Sequence, residues 1–372
     1  MIKAAISCNL DTHILQTALP LFRTAEVDAI EWSFDTLYKT KNIPDWFVEL
    51  LRTFSDGKGL IGHGVFFSIF SGEWTEGQQR WLQHLEKVSK HFSFQHITEH
   101  FGFMTGADFH KGAPISVPMD NTSLSIGGDR LKRIANACSC PVGLENLAFT
   151  YSLEEVKKHG EFLSRLVSTV NGFIILDLHN LYCQMHNFQI SFEEIIKLYP
   201  LELVREIHIS GGSWQESDLA PEKKVRRDTH DQAVPIEVFN MLSKAIPLCP
   251  NLKFVVLEAI GTGLKTEKEK EDFQKDYQTM KALLTKSEPN PGIKNFIPDI
   301  PYELGEPMSD DEFALQQIEL SNILETADNL TTAQASLSNS SLANTSWDIE
   351  HWSPHMLEAV IAIAQKWKMG FD

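Results

Sequence analysis

Over the first 285 positions, short runs of apolar and β-branched residues alternate with stretches whose apolar positions recur at helical spacing. The runs at 3–8, 29–34, 60–67, 96–103, 142–149, 173–180, 204–211 and 254–261 predict eight strands. Helical patterns are clearest at 76–92, 153–169, 236–246 and 268–284. The second of these opens after Tyr151, with Ser152 placed as cap and Glu155 three residues on, a capping-box pattern. Strict strand–helix alternation requires parallel strands joined by helical crossovers. Eight such units in about 285 residues fit a (β/α)8 barrel, the TIM-barrel form of the α/β class, better than an open doubly wound sheet. No Gly-x-Gly-x-x-Gly follows a strand, which argues against a dinucleotide fold.

The pattern changes after Leu284. Residues 287–307 hold Pro289, Pro291, Pro298, Pro301 and Pro307 and read as an extended connector. Positions 310–327 predict an acidic helix with Phe313, Ile318 and Leu324 among its apolar residues. Residues 331–346 are rich in Ser, Asn, Thr and Ala and are expected to form a mobile linker. A last helix is expected from Ser353 as cap and Pro354 as first residue, with Leu357, Val360, Ile361, Ala364 and Trp367 on one side. The chain is thus expected to divide into a barrel domain, 1–286, and an acidic, mainly helical C-terminal extension, 287–372.

Charge narrows the choice of function. Of a formal charge of −17, the extension carries −11, from 14 acidic and 3 basic residues. The barrel portion is also negative, so no basic face for nucleic acid is expected. No apolar run approaches the ~20 residues of a membrane span, and the N-terminus has too short an apolar core for a secretory signal. Five scattered cysteines do not suggest a disulfide framework. A soluble, cytoplasmic protein is expected, with neither a nucleic-acid nor a membrane partner.

Barrel chemistry gathers where strands end, at the C-terminal face. Read in order, those positions give His63, His100, Glu145, Asp177 with Asn180, His208, then Asp228 and His230 from the following loop, and Glu258. A single histidine near a strand end is ordinarily a satisfied core residue, and a single glutamate there can cap a helix or pair with arginine. Six consecutive units each offering an oxygen or nitrogen ligand are hard to obtain that way. Nine ligands exceed what one ion uses and suit two or three, with a carboxylate bridging. A charged Asp in FIILDLHN or Glu in VVLEAIG is costly without a metal or a partner.

The ordered set resembles the three-metal site of endonuclease IV and xylose-isomerase-like barrels, with Asn180 where the nuclease pattern has histidine. With HGV, EHF, LEN, LDLHN and DTHD, it is similar to the multinuclear non-heme iron-dependent oxidative enzymes, the methanobactin-biosynthesis oxidase family, over residues 1–285. The resemblance implies that His63, His100 and Glu145 hold one iron, and that Glu145 bridges to a second held by Asp177, His208 and Glu258. Asn180, Asp228 and His230 would form a looser third site. It further implies two or three iron ions of mixed valence and O2 as co-substrate. The reaction would be removal of hydrogen from the β-carbon of a residue, usually cysteine, in a ribosomally made precursor peptide, with a smaller partner protein capturing the leader peptide. His179 and Gly212 depart from the family pattern; the first would add a ligand or proton relay, the second bears on substrate contacts.

Other positions carry weaker expectations. Asn146 and Asp231 flank ligands and are candidates to orient them. Tyr182 and Trp214 are candidates to line a peptide groove. Lys223, Lys224, Arg226 and Arg227 are candidates to steer an acidic peptide. Cys183 is a candidate reactive thiol, whereas Cys138 and Cys140 read as buried. In the extension, Trp347, Trp352 and Trp367 are candidates for partner docking, against simple packing on the barrel. Two rival readings are a zinc-dependent phosphodiesterase like endonuclease IV and a metal-dependent sugar isomerase or epimerase. The acidic charge and Asn180 disfavour the first, and the lack of a strand-end lysine disfavours the second.

Overall fold

A computed structural model of the chain describes residues 1–37, 40, 42–106, 108–217, 224–287, 292 and 294–370. The eight strands are β1 (Lys3–Ser7), β2 (Ala29–Trp32), β3 (Leu60–Gly64), β4 (Ile97–His100), β5 (Val142–Glu145), β6 (Phe173–Asp177), β7 (Val204–Ile209) and β8 (Phe254–Leu257). They pair in parallel and close on themselves, β8 with both β7 and β1. The helices between them are α1 (Thr12–Arg23), α2 (Asp45–Asp56), α3 (Glu76–His91), α4 (Asn121–Cys138), α5 (Leu153–Ser168), α6 (Leu178–Phe188), α7 (Ile236–Ala245) and α8 (Glu267–Lys286). The expected TIM barrel is therefore the fold.

Strand periodicity decides what fills the barrel. Side chains alternate faces, so every second residue points inward. The lowest inward positions are apolar: Ala5, Ala29, Ile61, Phe254 and Val256 form a cluster of their own, separate from the main core under the helices. Two residues further along the same strands stand Glu31, His63 and Glu258. The barrel interior therefore grades from apolar at its base to ionisable at its C-terminal face.

Two caps read from the sequence differ in detail. Ser152 caps α5 by accepting from Glu155 N, but the Glu155 carboxylate reaches Tyr151 N rather than closing the box. No side-chain capping bond comes from Ser353 at the last helix.

The C-terminal segment wraps the barrel. Tyr302, Gly305 and Met308 carbonyls accept from Asn136, Arg133 and Arg130 of α4, laying the connector against that helix. α9 (Asp311–Thr326) docks on the loop after β3, where Gln317 exchanges hydrogen bonds with Phe70 O and Gly72 N; its Ile318 faces outward, 53 % exposed. The expected linker at 331–346 is a correction: it contains α10 (Leu330–Ser338), opened by an Asn329–Thr332 capping box. Ala333 and Leu337, four residues apart, bury the one apolar stripe, which the polar composition concealed. α11 (Pro354–Trp367) buries Leu357, Val360, Ile361 and Ala364. Trp347 and Trp352 are buried as well, the latter stacked on Tyr151.

Candidate metal centre

Inward parity brings His63, His100, Glu145, Asp177, His208 and Glu258 to one place at the C-terminal face. Ligand atoms of His63, His100 and Glu145 lie within 4.8 Å of one another, and so do those of Glu145, Asp177, His208 and Glu258. Glu145 belongs to both sets.

Each imidazole is turned by a fixed acceptor behind it. His100 Nδ1 lies 3.0 Å from Gly64 O, which can only accept, so the proton sits on Nδ1 and Nε2 keeps its lone pair. His63 Nδ1 lies 2.8 Å from Thr98 Oγ1, whose own proton goes to Gly62 O, so His63 donates from Nδ1 and again presents Nε2. His208 is reversed: its Nε2 donates to Glu206 Oε1 at 2.8 Å, leaving Nδ1 facing the cluster. Three lone pairs from β3, β4 and β7 thus converge, the arrangement that outer hydrogen bonds produce in histidine metal sites.

The carboxylates meet them at ligand-like spacing. Glu145 Oε2 is 3.3 Å from His63 Nε2 and 3.4 Å from His100 Nε2, and Glu145 Oε1 is 3.6 Å from His208 Nδ1. Glu258 Oε2 stands 3.2 Å from His208 Nδ1. Atoms sharing an ion at ~2.1 Å lie about 3.0–3.4 Å apart, wider than an optimal hydrogen bond. Glu145 Oε2, Asp177 Oδ2, Asn180 Oδ1, His208 Nδ1 and Glu258 Oε2 are buried without a hydrogen bond. Five orphaned polar atoms in one place are rare in a native protein and fit a cation. Asp177 is clamped by Asn146, whose side chain accepts from Asp177 N at 2.6 Å and donates to Asp177 O at 3.2 Å.

Electrostatics without a metal show the same demand for positive charge. Burial and the carboxylates of Asp228, Glu145 and Glu258 push Asp177 well above its ordinary range. Burial alone would lower His63, but Glu31 and Glu145 outweigh it and raise it to about 9. His208 is likewise raised, by Glu258 and Glu31 against burial. Protons favoured on His63 and His208 stand where a cation would neutralise the same carboxylates, whereas burial and His63 lower His100.

Asp228, His230 and Asn180 are placed differently. Asp228 Oδ1 is already engaged, 2.9 Å from His230 Nε2 and 2.9 Å from His179 Nδ1. His179 Nε2 faces Arg226 Nη2 at 3.1 Å; arginine only donates, so Nδ1 carries the proton and His179 holds Asp228. His230 takes a left-handed backbone, φ 52°, at this rim. Asn180 Nδ2 donates to Asn146 O at 2.7 Å and to Glu145 Oε1 at 3.4 Å, while its Oδ1 is buried without a hydrogen bond.

Behind the cluster lies a second ionisable group that strand-end positions do not include. Glu206 pairs with both His208 and His96, and Glu31 Oε2 stands 3.2 Å from His208 Nε2. All four are buried. The 2.8 Å Glu206–His208 separation and the closer Glu206–His96 contact are hydrogen-bonding distances, too short for two ligands of one ion. Inward parity on 204–211 and 29–34 was the available signal.

A cavity of about 350 Å³ opens over the cluster and is lined by His100, Glu145, Asn180, Arg227, Asp228 and His230, among others. Tyr182 and Trp214 do not line it; they sandwich the Arg226 guanidinium at 5.3 and 5.1 Å. The basic loop is divided: Lys224 pairs with Glu216, Arg226 and Arg227 reach the cavity, and Lys223 lies outside the described residues. Asp231 accepts from Thr229 Oγ1, a turn role. Cys183 is buried, and burial with Asp228 nearby raises its thiol well above the ordinary value, so the expected reactivity is corrected. Cys138 is buried but Cys140 only partly. A side chain at Gly212 would strike Arg227 O, its Cβ falling at 2.2 Å, which accounts for glycine there.

A family model described as RiPP precursor modification enzyme MbnB/TglH/ChrH matches residues 23–260. The UPF0276 protein of Shewanella loihica is 24% identical over 197 residues, 53% of this chain and 68% of that one. That of Chromobacterium violaceum is 26% identical over 198 residues, with the same shares covered. Among solved structures, endonuclease IV from Thermus thermophilus is similar with a TM-score of 0.48 and 13% identity, over 77% of this chain and 100% of that one.

Proposed function

This chain belongs to the family of RiPP precursor modification enzymes MbnB/TglH/ChrH, and from that premise we propose that it is a multinuclear non-heme iron, O2-dependent oxidase acting on a cysteine of a ribosomally made precursor peptide. The supporting observation is the ring of lone pairs and orphaned oxygens around Glu145. His63, His100 and Glu145 would hold one iron, and Glu145 would bridge to another held by Asp177, His208 and Glu258. Asn180, Asp228 and His230 would serve a third, looser site, since their atoms are partly engaged with each other and with His179. A nitrogen and carboxylate set without thiolate suits iron, manganese or zinc; iron when bound supplies the electron-transfer capacity that removal of hydrogen from the substrate β-carbon by O2 demands.

The chain's own residues divide the remaining work. Gly64 O, Thr98 and Glu206 fix the imidazole tautomers, and Asn146 fixes Asp177. Access is uneven: the His100 side chain is 28% exposed, against 4% for His63 and 0% for His208. The peptide would therefore approach over His100 and the Asp228–His230 rim, with Glu145 and His208 beneath, shielded from water. A leader-binding partner protein belongs to the same reading. The test is metal analysis with Mössbauer and EPR spectroscopy on protein purified without oxygen. Two or three iron ions, with a spectrum altered by a cysteine-containing peptide, are expected; zinc alone would overturn the proposal.

A further inference from the structure

One wall of the cavity is not supplied by the barrel. Met356, Ile363, Lys366 and Trp367 of α11 line it together with Glu145 and His230. The helix is fastened at both ends and between. Ser353 N donates to Tyr151 O, and the Trp352 ring stacks on Tyr151 at 3.6 Å. His355 Nε2 meets Asn187 O at 3.2 Å, Ser217 Oγ donates to Glu358 at 2.7 Å, and Gly112 N donates to Trp367 O at 2.9 Å. These contacts reach the loops after β4, β5 and β7 and the end of α6, so the helix lies across the mouth.

Charge on this wall runs against that of its own segment. Only three basic residues occur in 287–372. Lys294 lies over the Phe296 ring and Lys368 stands 3.8 Å from Glu325. Lys366 faces the cavity beside the Trp367 ring, with no ion pair among the described residues. Arg227, on the same cavity, bonds Gln215 and likewise pairs with no carboxylate among the described residues. Two cations without an ion pair among the described residues border an apolar wall above a carboxylate-rich floor that includes Glu145 and Asp228.

We propose that α11 selects the substrate, and that the accepted peptide carries an acidic residue beside the one presented to Glu145. Lys366 and Arg227 receive its carboxylate, while Met356, Ile363 and Trp367 pack against the neighbouring apolar part. The inference rests on the peptide-modifying reading above. It is tested by calorimetry on the full-length, iron-loaded protein without oxygen, using two synthetic probes: acetyl-Leu-Cys-Asp-Asp-amide and acetyl-Leu-Cys-Lys-Lys-amide. The wild type is expected to prefer the acidic probe. Lys366→Glu and Arg227→Glu should each cut that preference about tenfold, the scale of one charge-assisted bond, and Trp367→Ala should weaken both probes alike. Iron content is measured for every variant, so a misfolded one is recognised. An unchanged preference in both charge reversals, or no binding of the acidic probe, overturns the inference. Free cysteine separates the two failures. If it perturbs the iron spectrum while probe charge makes no difference, the selection falls and the oxidase reading stands. If neither cysteine nor probe perturbs the iron, the oxidase reading falls, and calorimetry still reports on selection.

Discussion

The barrel interior holds two stacked clusters of glutamate and histidine that share His208. In the upper one, nitrogen and oxygen atoms stand 3.2–3.6 Å apart, several without a hydrogen bond, beneath an open cavity. In the lower one, Glu206 pairs with both His208 and His96 and stands in register with Phe254 of the apolar cluster, while Glu31 Oε2 lies 3.2 Å from His208 Nε2. Composition is nearly the same; spacing and access are not. The upper set opens on a cavity that an ion and a ligand can reach, whereas in the lower set Glu206 is closely paired with His208 and His96 and serves to turn His208.

The sharpest way to break this contrast is to remove the residue on which the upper cluster turns. Glu145→Ala is expected to lose both central ions, read as metal stoichiometry by mass spectrometry; loss of a single ion would show that Glu145 does not bridge. The lower layer should respond in degree. Glu206→Gln keeps the shape but weakens the acceptor that turns His208, so metal affinity should fall roughly 10–100-fold with stoichiometry unchanged. If stoichiometry fell instead, the lower layer would itself be an ion site.

The smallest effect is continuous in pH. His63 in the metal-free protein is raised from 6.5 to about 9, chiefly by Glu31 and Glu145 against burial. A raised folded-state value contributes stability that is complete below 6.5 and is lost as pH rises through about 9. A metal competes with the same proton, so affinity should move the other way, by about tenfold per pH unit through that window. Thermal melts of metal-free protein and competition titrations check the two directions. Parallel rather than opposed trends would place the proton elsewhere.

The strands and the residues converging on Glu145 were legible because parallel barrel strands are buried on both faces and read as near-continuous apolar runs, so an ionisable residue toward a strand end stands out. Glu31 and Glu206 obey the same parity but fall earlier in their runs, 29–34 and 204–211, where sequence alone does not mark them as strand ends. α10 is hidden in the sequence for a different reason: Ala333 and Leu337 make a two-residue stripe that the polar composition around them averages away. The roofing of the cavity by α11 could not be read at all, since it joins residues near 100, 150, 215 and 360 that no local pattern connects.

α11 also bears on the cost of binding. Loops that must order themselves around a flexible peptide lose conformational entropy at that moment, and affinity falls accordingly. Here the loops holding Gly112, Tyr151 and Ser217 are already tied to one helix before any peptide arrives. Much of the ordering is therefore done at folding, and a peptide bound as proposed would bear chiefly its own. On the proposed reading, such a cavity would hold a short stretch of chain without closing over it.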